Sequence, residues 1–239
     1  MKYFQLLFDT IVPIYGINGD KMRGKLLLLL ATTLLITACK RTEIREDYSV
    51  EKRTIAVADV DIRKDIREHK ICPTWSSAKS ESEKFLSLIN YLRTQPINCG
   101  EVQGPATLLV WDASLENAAQ EHSNDMAQND LLSHNGSFKR SDITAYALGL
   151  QKGSRAEDRA KNSDFDGDRV VENIAKTTTD SDDLSDDAII DGIEALLSSK
   201  DGCKHLMDGA MESVGMAKTI KESDGKKYIY WTQLLGVKR

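Results

Sequence analysis

Leu109-Val110-Trp111-Asp112-Ala113-Ser114-Leu115-Glu116-Asn117-Ala118-Ala119-Gln120-Glu121-His122-Ser123-Asn124-Asp125-Met126-Ala127 is the stretch on which the fold turns. It opens on the short apolar run Leu108–Trp111. A helix start follows at Asp112 or Ser114, both good N-cap residues. Leu115, Ala118, Ala119, His122 and Met126 then recur at helical spacing and share one face. His122 therefore points inward, as an ionisable side chain among apolar neighbours.

Upstream, Ser80-Glu81-Ser82-Glu83 has the spacing of a capping box. Phe85, Leu88, Ile89 and Leu92 continue as a helix, and Pro96 stops it. Downstream, the polar residues 137–170 carry few landmarks, although Tyr146 to Leu150 suits part of a helix. Asp164-Phe165-Asp166-Gly167-Asp168 alternates carboxylates but lacks the distal Glu of a calcium loop, and reads as an acidic turn. Asp180, Asp182, Asp183, Asp186 and Asp187 read as a solvated loop leading into a helix from Ala188 to Ser198. Asp186 and Asp187 suit the positive end of that helix's dipole. Ser213–Lys221 and Lys227–Val237 are rich in strand formers and flank Ser223-Asp224-Gly225, a hairpin signal. Helices first and strands late predict an α+β fold.

The first 39 residues read differently. Met22-Arg23-Gly24-Lys25 is followed by an uncharged apolar run from Leu26 to Ile36, then Thr37-Ala38-Cys39. This is the order of a secretory signal. The run is roughly half the ~20 residues of a spanning helix. Ile36-Thr37-Ala38-Cys39 resembles the bacterial lipobox, which implies a lipid on Cys39. The signal fits a start at Met22 better than one at Met1, with residues 1–21 either an untranslated upstream extension or an unusually long n-region. Lys40 after the Cys favours the outer membrane. Residues 40–79 are charged and read as a tether, with one short element at Thr54 to Val60; the working domain is 80–239.

The 239-residue chain has a net charge of −5. Residues 1–38 carry +2, so the remainder carries −7. Such a chain is a poor non-specific partner for nucleic acid or for anionic lipid. Nucleic acid is not expected as a partner, and the expected membrane contact is the lipid anchor alone. Of the four cysteines, 39, 72, 99 and 203, the last two follow the first and third helices. If paired they close a loop of about 100 residues, worth roughly 4–5 kcal/mol by chain entropy. Cys72 is either free or paired with Cys39.

From Ser80 to Arg239 the chain resembles the CAP superfamily of cysteine-rich secretory proteins, antigen 5 and plant pathogenesis-related 1 proteins, in its bacterial SCP-like branch. The motifs that carry the resemblance occur in order: Leu88-Ile89-Asn90 with Arg93; Cys99-Gly100; the 109–127 stretch; Ser133-His134-Asn135-Gly136; Glu172-Asn173-Ile174-Ala175; Cys203 with Leu206-Met207; Val214-Gly215-Met216-Ala217; and Tyr230-Trp231-Thr232-Gln233 with Gly236. The resemblance implies a three-layer α–β–α sandwich and supports a Cys99–Cys203 disulfide. It also implies a cleft lined by two His and two Glu that can hold a divalent metal. Here His134 and Glu172 match one of each. The second His position is Tyr230, and the second Glu position falls near Ser198 or Ser199. The sequence further departs from the family at Val171, Leu196 and Gly202, and residues 137–170 are longer than the short form needs.

The cleft residues expected are thus His134, Glu172, His122, Tyr230 and Gln233, with His134 and Glu172 the only matched metal ligands. Two are too few for tight zinc. His122 and His205 are other candidate ligands outside the tetrad. A His134–Glu172 pair that hydrogen-bonds and shapes the cleft is the favoured reading. The same pair could supply a base, but no Ser or Cys lies in a nucleophile motif. The expectation is a monomeric, envelope-anchored binding module for a lipid, glycan or peptide, with no cofactor. The alternative is a metal-assisted hydrolase using His134 and Glu172.

Overall fold

The computed structural model describes residues 78–180 and 185–239. The signal, Cys39, Cys72, the Thr54–Val60 element and nearly all of the tether lie outside the described residues, as does part of the acidic loop at 181–184.

Helix α1 spans Glu81–Arg93, with Ser80 Oγ accepting from Glu83 N at 3.2 Å. Glu83 turns back one residue further than a capping box requires, accepting from Lys79 N at 2.5 Å. The helix stops at Arg93, three residues before Pro96. Two short strands, β1 (Ile97–Asn98) and β2 (Val102–Gln103), pair with each other, and β3 (Val110–Trp111) joins the main sheet. Helix α2 spans Ala113–Asn129 and is capped by Asp112, which accepts from Ser114 N and Leu115 N.

Residues 137–170, expected to hold part of a helix at Tyr146–Leu150, hold two short helices. They are α3 (Ile143–Leu148) and α4 (Ala156–Asn162). Gly149 in the left-handed conformation ends α3 before Leu150, as a C-terminal glycine does. Strand β4 follows at Gly167–Thr179. It was not foreseen, because buried polar residues on both of its faces break the apolar alternation. Asp164–Asp168 is a turn that runs into this strand. Helix α5 spans Asp186–Leu197, with Ser185 as its cap. A separate helix, α6 (Lys200–Met207), was also unforeseen and carries Cys203 within it rather than after a helix. The hairpin is β5 (Ser213–Ser223) and β6 (Lys226–Lys238). Its turn has Asp224 at φ 53° and Gly225 at φ 70°, the positive angles that a type I′ turn needs.

The sheet order is β3-β5-β6-β4, parallel at β3–β5 and antiparallel elsewhere. Side chains alternate across it, so each face has its own core. Val214, Met216, Ile229, Trp231 and Leu235 face α1, α5 and α6 and pack with Phe85, Leu88, Ile193 and Leu206. Ala217 and Leu234 face the other way, against Leu115, Ala118 and Ala119 of α2 and Ala156 and Ala160 of α4. The result is the three-layer α–β–α sandwich.

Two motif residues fasten the layers. Asn90 bonds both ways with the Leu109 backbone, at 2.9 and 2.8 Å, and fixes the approach to β3. Arg93, fully buried, donates to the carbonyls of Thr107, Leu206, Asp208 and Met211. Those at the end of α6 are helix carbonyls with no partner inside the helix. Cys99 and Cys203 form a disulfide across 104 residues, tying the β1 segment to α6.

Candidate functional site

The α2 face of the sheet carries the expected centre. Glu172 lies on β4 opposite Leu234 and points to that face. His122 reaches it from α2, and His134 from the turn after α2. His134 Nδ1 is 2.9 Å from Glu172 Oε2. The fourth member was not foreseen: Arg159 of α4 donates through Nη2 to Glu172 Oε1 at 2.6 Å. Arg159 is fully buried, and only 3 % of the Glu172 side chain is exposed. A sequence signal existed. Ala156, Arg159 and Ala160 fall on one helical face, so an arginine stands among buried alanines and needs an internal anion.

The electrostatics follow from that arrangement. Burial alone would push the Glu172 carboxyl up. The His134 hydrogen bond and the charge of Arg159 outweigh it and hold the carboxyl below its usual range. The hydrogen bond to Glu172 raises His134. Its ring is 65 % exposed on the side chain, and with Nδ1 turned to Glu172 it is Nε2 that remains for a ligand. His122 is lowered, chiefly by burial. Its Nε2 lies 2.8 Å from the Ser133 carbonyl, which can only accept, so the proton sits on Nε2. Its Nδ1 is buried with no hydrogen-bond partner among the described residues.

Two buried carboxylates shape the turn that presents His134. Asp125 accepts from Ser137 N at 2.7 Å, Ser137 Oγ at 2.6 Å and Ser141 Oγ at 2.5 Å. Asp142 accepts from Phe138 N at 3.2 Å, Ser154 N at 3.0 Å and Ser154 Oγ at 2.6 Å. Burial alone would raise Asp142, but the bonds from Ser154 and the neighbouring amides hold it below the carboxylate range. Ser154 in turn accepts from Arg159 Nη1, at its carbonyl and its hydroxyl. An unbroken chain of hydrogen bonds thus runs from Phe138 through Asp142, Ser154 and Arg159 to Glu172.

The remaining expected residues lie elsewhere. Gln233 is on the opposite face of the sheet, where Asn173 donates to its Oε1 at 2.8 Å. His205 joins that second group through Asn173 Oδ1 at 2.9 Å. Neither can contribute to the Glu172 centre, because adjacent residues of a strand face opposite ways. Tyr230 is on the same face as Glu172 but four residues along from Leu234, roughly 13 Å at the strand rise. It is buried and donates to Asp130, which Lys176 and Tyr230 together hold down to about 2.

The residues do not fit the divalent metal that the resemblance implies. Both Glu172 oxygens are engaged, one by a guanidinium whose charge would repel a cation. His122 spends its Nε2 on Ser133. Among the described residues no group of three or more His, Cys, Asp and Glu could hold a metal ion.

Residues 86–235 match the CAP family, described as the cysteine-rich secretory protein family. The chain belongs to that family. The fold is also similar to two solved structures. One is an extracellular protein containing an SCP domain from Bacillus anthracis, at 20 % identity and a TM-score of 0.43, over 66 % of this chain and 40 % of that one. This chain therefore spans less than half the length of that protein. The other is an outer surface protein from Borrelia burgdorferi, at 15 % identity and a TM-score of 0.44, over 76 % of this chain and 98 % of that one. Among curated proteins no match is found.

Proposed function

We propose that this family member works outside the cytoplasm as a lipid-anchored, non-catalytic binding module, and that its cleft takes a lipid, glycan or peptide ligand at the His134 edge. The observation that carries this reading is the state of Glu172. Its Oε1 accepts from Arg159 and its Oε2 from His134. Each oxygen already serves a partner, and the Arg159 charge beside them weakens the carboxylate as a base and disfavours a cation there. What the centre presents outward is the His134 ring, steadied by Glu172 and ready to bond a ligand through Nε2.

Export is supported by the Met22–Ala38 signal pattern and by the disulfide, which persists in oxidising compartments. Cys39 in the lipobox pattern supports the anchor, and Lys40 favours the outer membrane.

The test is a ligand screen on the purified protein with lipid, glycan and peptide panels, alongside metal analysis. A ligand bound by the parent and weakened in His134→Ala supports the reading. Stoichiometric zinc, lost together with a hydrolytic activity in His134→Ala, would overturn it in favour of the hydrolase.

A further inference from the structure

The acidity of the chain is not spread evenly. Between Leu131 and Ala156 the exposed charged side chains are Lys139, Arg140, Lys152 and Arg155, all basic. The one carboxylate of that segment, Asp142, is buried. Five of the eight large apolar side chains that stand exposed among the described residues also fall there: Leu132, Phe138, Ile143, Tyr146 and Leu148. Four residues share one place, since Phe138, Lys139, Arg140 and Tyr146 line a single recess of about 410 Å³. Neither basic side chain is engaged in an ion pair among the described residues.

The recess is held in shape from beneath. Phe138 has φ 57°, a conformation that bulky residues rarely adopt. Asp142 and the adjacent Ser137–Asp125 bonds keep it there. The outcome is a bulky ring 53 % exposed at a strained position. Strain of this kind persists where the surrounding structure imposes it and is concentrated at functional sites.

Aromatic rings and basic groups side by side form a surface suited to the membrane–water boundary. The rings settle at headgroup depth and the cations meet lipid phosphates. We propose that the surface around Phe138, Lys139, Arg140 and Tyr146 docks the domain on an anionic lipid membrane. The negative net charge does not oppose this. The field that a lipid headgroup meets is local, because charges beyond a Debye length of roughly 8–10 Å are screened. An acidic soluble protein would match the charges but would offer no apolar layer for Phe138 and Tyr146. Docking of this size is marginal alone and acts as a second signal beside the proposed lipid on Cys39. In that respect it rests on the anchored reading, and the test removes the anchor.

The chain from Lys40 onward, produced without the apolar signal and without Cys39, is mixed with vesicles and sedimented. Vesicles of phosphatidylcholine with phosphatidylglycerol should carry the protein down, and less of it as salt rises. Vesicles of phosphatidylcholine alone should not. Lys139→Gln with Arg140→Gln should weaken partitioning on the order of 30-fold, which is about 2 kcal/mol at about 1.4 kcal/mol per tenfold and about 1 kcal/mol per basic residue. Tyr146→Ser, at a side chain 77 % exposed and so harmless to folding, should weaken it several-fold. Glycerol phosphate at matched phosphate concentration should not compete, which separates a membrane from a free anion. The cleft reading is tested separately with soluble ligand panels, so its failure leaves this vesicle readout untouched. Absence of binding to the anionic vesicles, equal binding to neutral ones, or unchanged binding in both the Lys139/Arg140 and Tyr146 variants overturns the proposal.

Discussion

Arg159 and Glu172 are both withdrawn from water, so each depends on the other to offset its desolvation. Removing one partner strands a buried charge, which costs about 3–5 kcal/mol. Arg159→Ala should therefore lower the unfolding free energy by about that amount in urea denaturation. Arg159→Met with Glu172→Gln should recover much of the loss, because no charge is then left alone.

The histidines at this centre have opposite pH signatures. His122 is lowered in the folded state. Below about pH 6.5 the unfolded chain takes up a proton that the folded chain refuses, so stability falls with acid. His134 is raised, so its contribution is present below about pH 6.5 and is lost as pH rises through its folded value. Because its ring is exposed, that contribution is at most about 1 kcal/mol. His122→Gln should flatten the acid side of the stability profile. His134→Ala should steepen it slightly. Urea midpoints measured from pH 5 to 8, a span of conditions chosen to bracket the ordinary histidine value, would show both.

At the scale of elements, α2 and the β5–β6 hairpin were legible because each carries its own local signal. Helix α2 has a cap and an apolar face; the hairpin has Asp-Gly between two strand-forming runs. Strand β4 was hidden because Glu172 points into one layer and Asn173 into the other, and both are buried. Burial of alternating polar residues looks like a loop until their partners are known. The α3–α4 segment was hidden for a related reason. Its landmarks are polar: beside the small apolar contacts of Ala156 and Ala160 it is ordered by carboxylates, with Asp142 as its hub. Gly136 matters here, since a Cβ on it would meet Asp142 Oδ2 at 2.1 Å. Gly136→Ala should displace Asp142 and loosen the Phe138–Ser154 chain, seen as faster amide exchange at Phe138 and Ser154 than in the parent. Exchange unchanged at both would mean that Asp142 is not the hub.

For the whole molecule, the Cys99–Cys203 bridge closes most of the sandwich into one loop. By chain entropy it is worth up to about 4–5 kcal/mol. Cys99→Ser with Cys203→Ser should lower the thermal midpoint, and parent protein treated with a thiol reductant should fall to the same value. Cys39→Ser addresses attachment: once high salt has released docking through charge, the variant should appear in the soluble fraction, and if it stays in the membrane fraction the anchor lies elsewhere in the chain.

By itself the sequence determined the export pattern, the α+β class, the family resemblance and the pairing of His134 with Glu172. Each is written in local spacing or in an ordered set of motifs. Only the tertiary structure decided that Arg159, from a segment with no family landmark, neutralises Glu172. Only it separated Gln233 and Tyr230 from that centre. The alternation of a strand and the packing of a helix over it set which side chains converge, and both depend on contacts between residues far apart in the chain. The same holds for charge. The sum over the sequence is acidic, but folding collects Phe138, Lys139, Arg140 and Tyr146 in one recess and buries Asp142 beneath them, and a surface acts through its local charge rather than through the total.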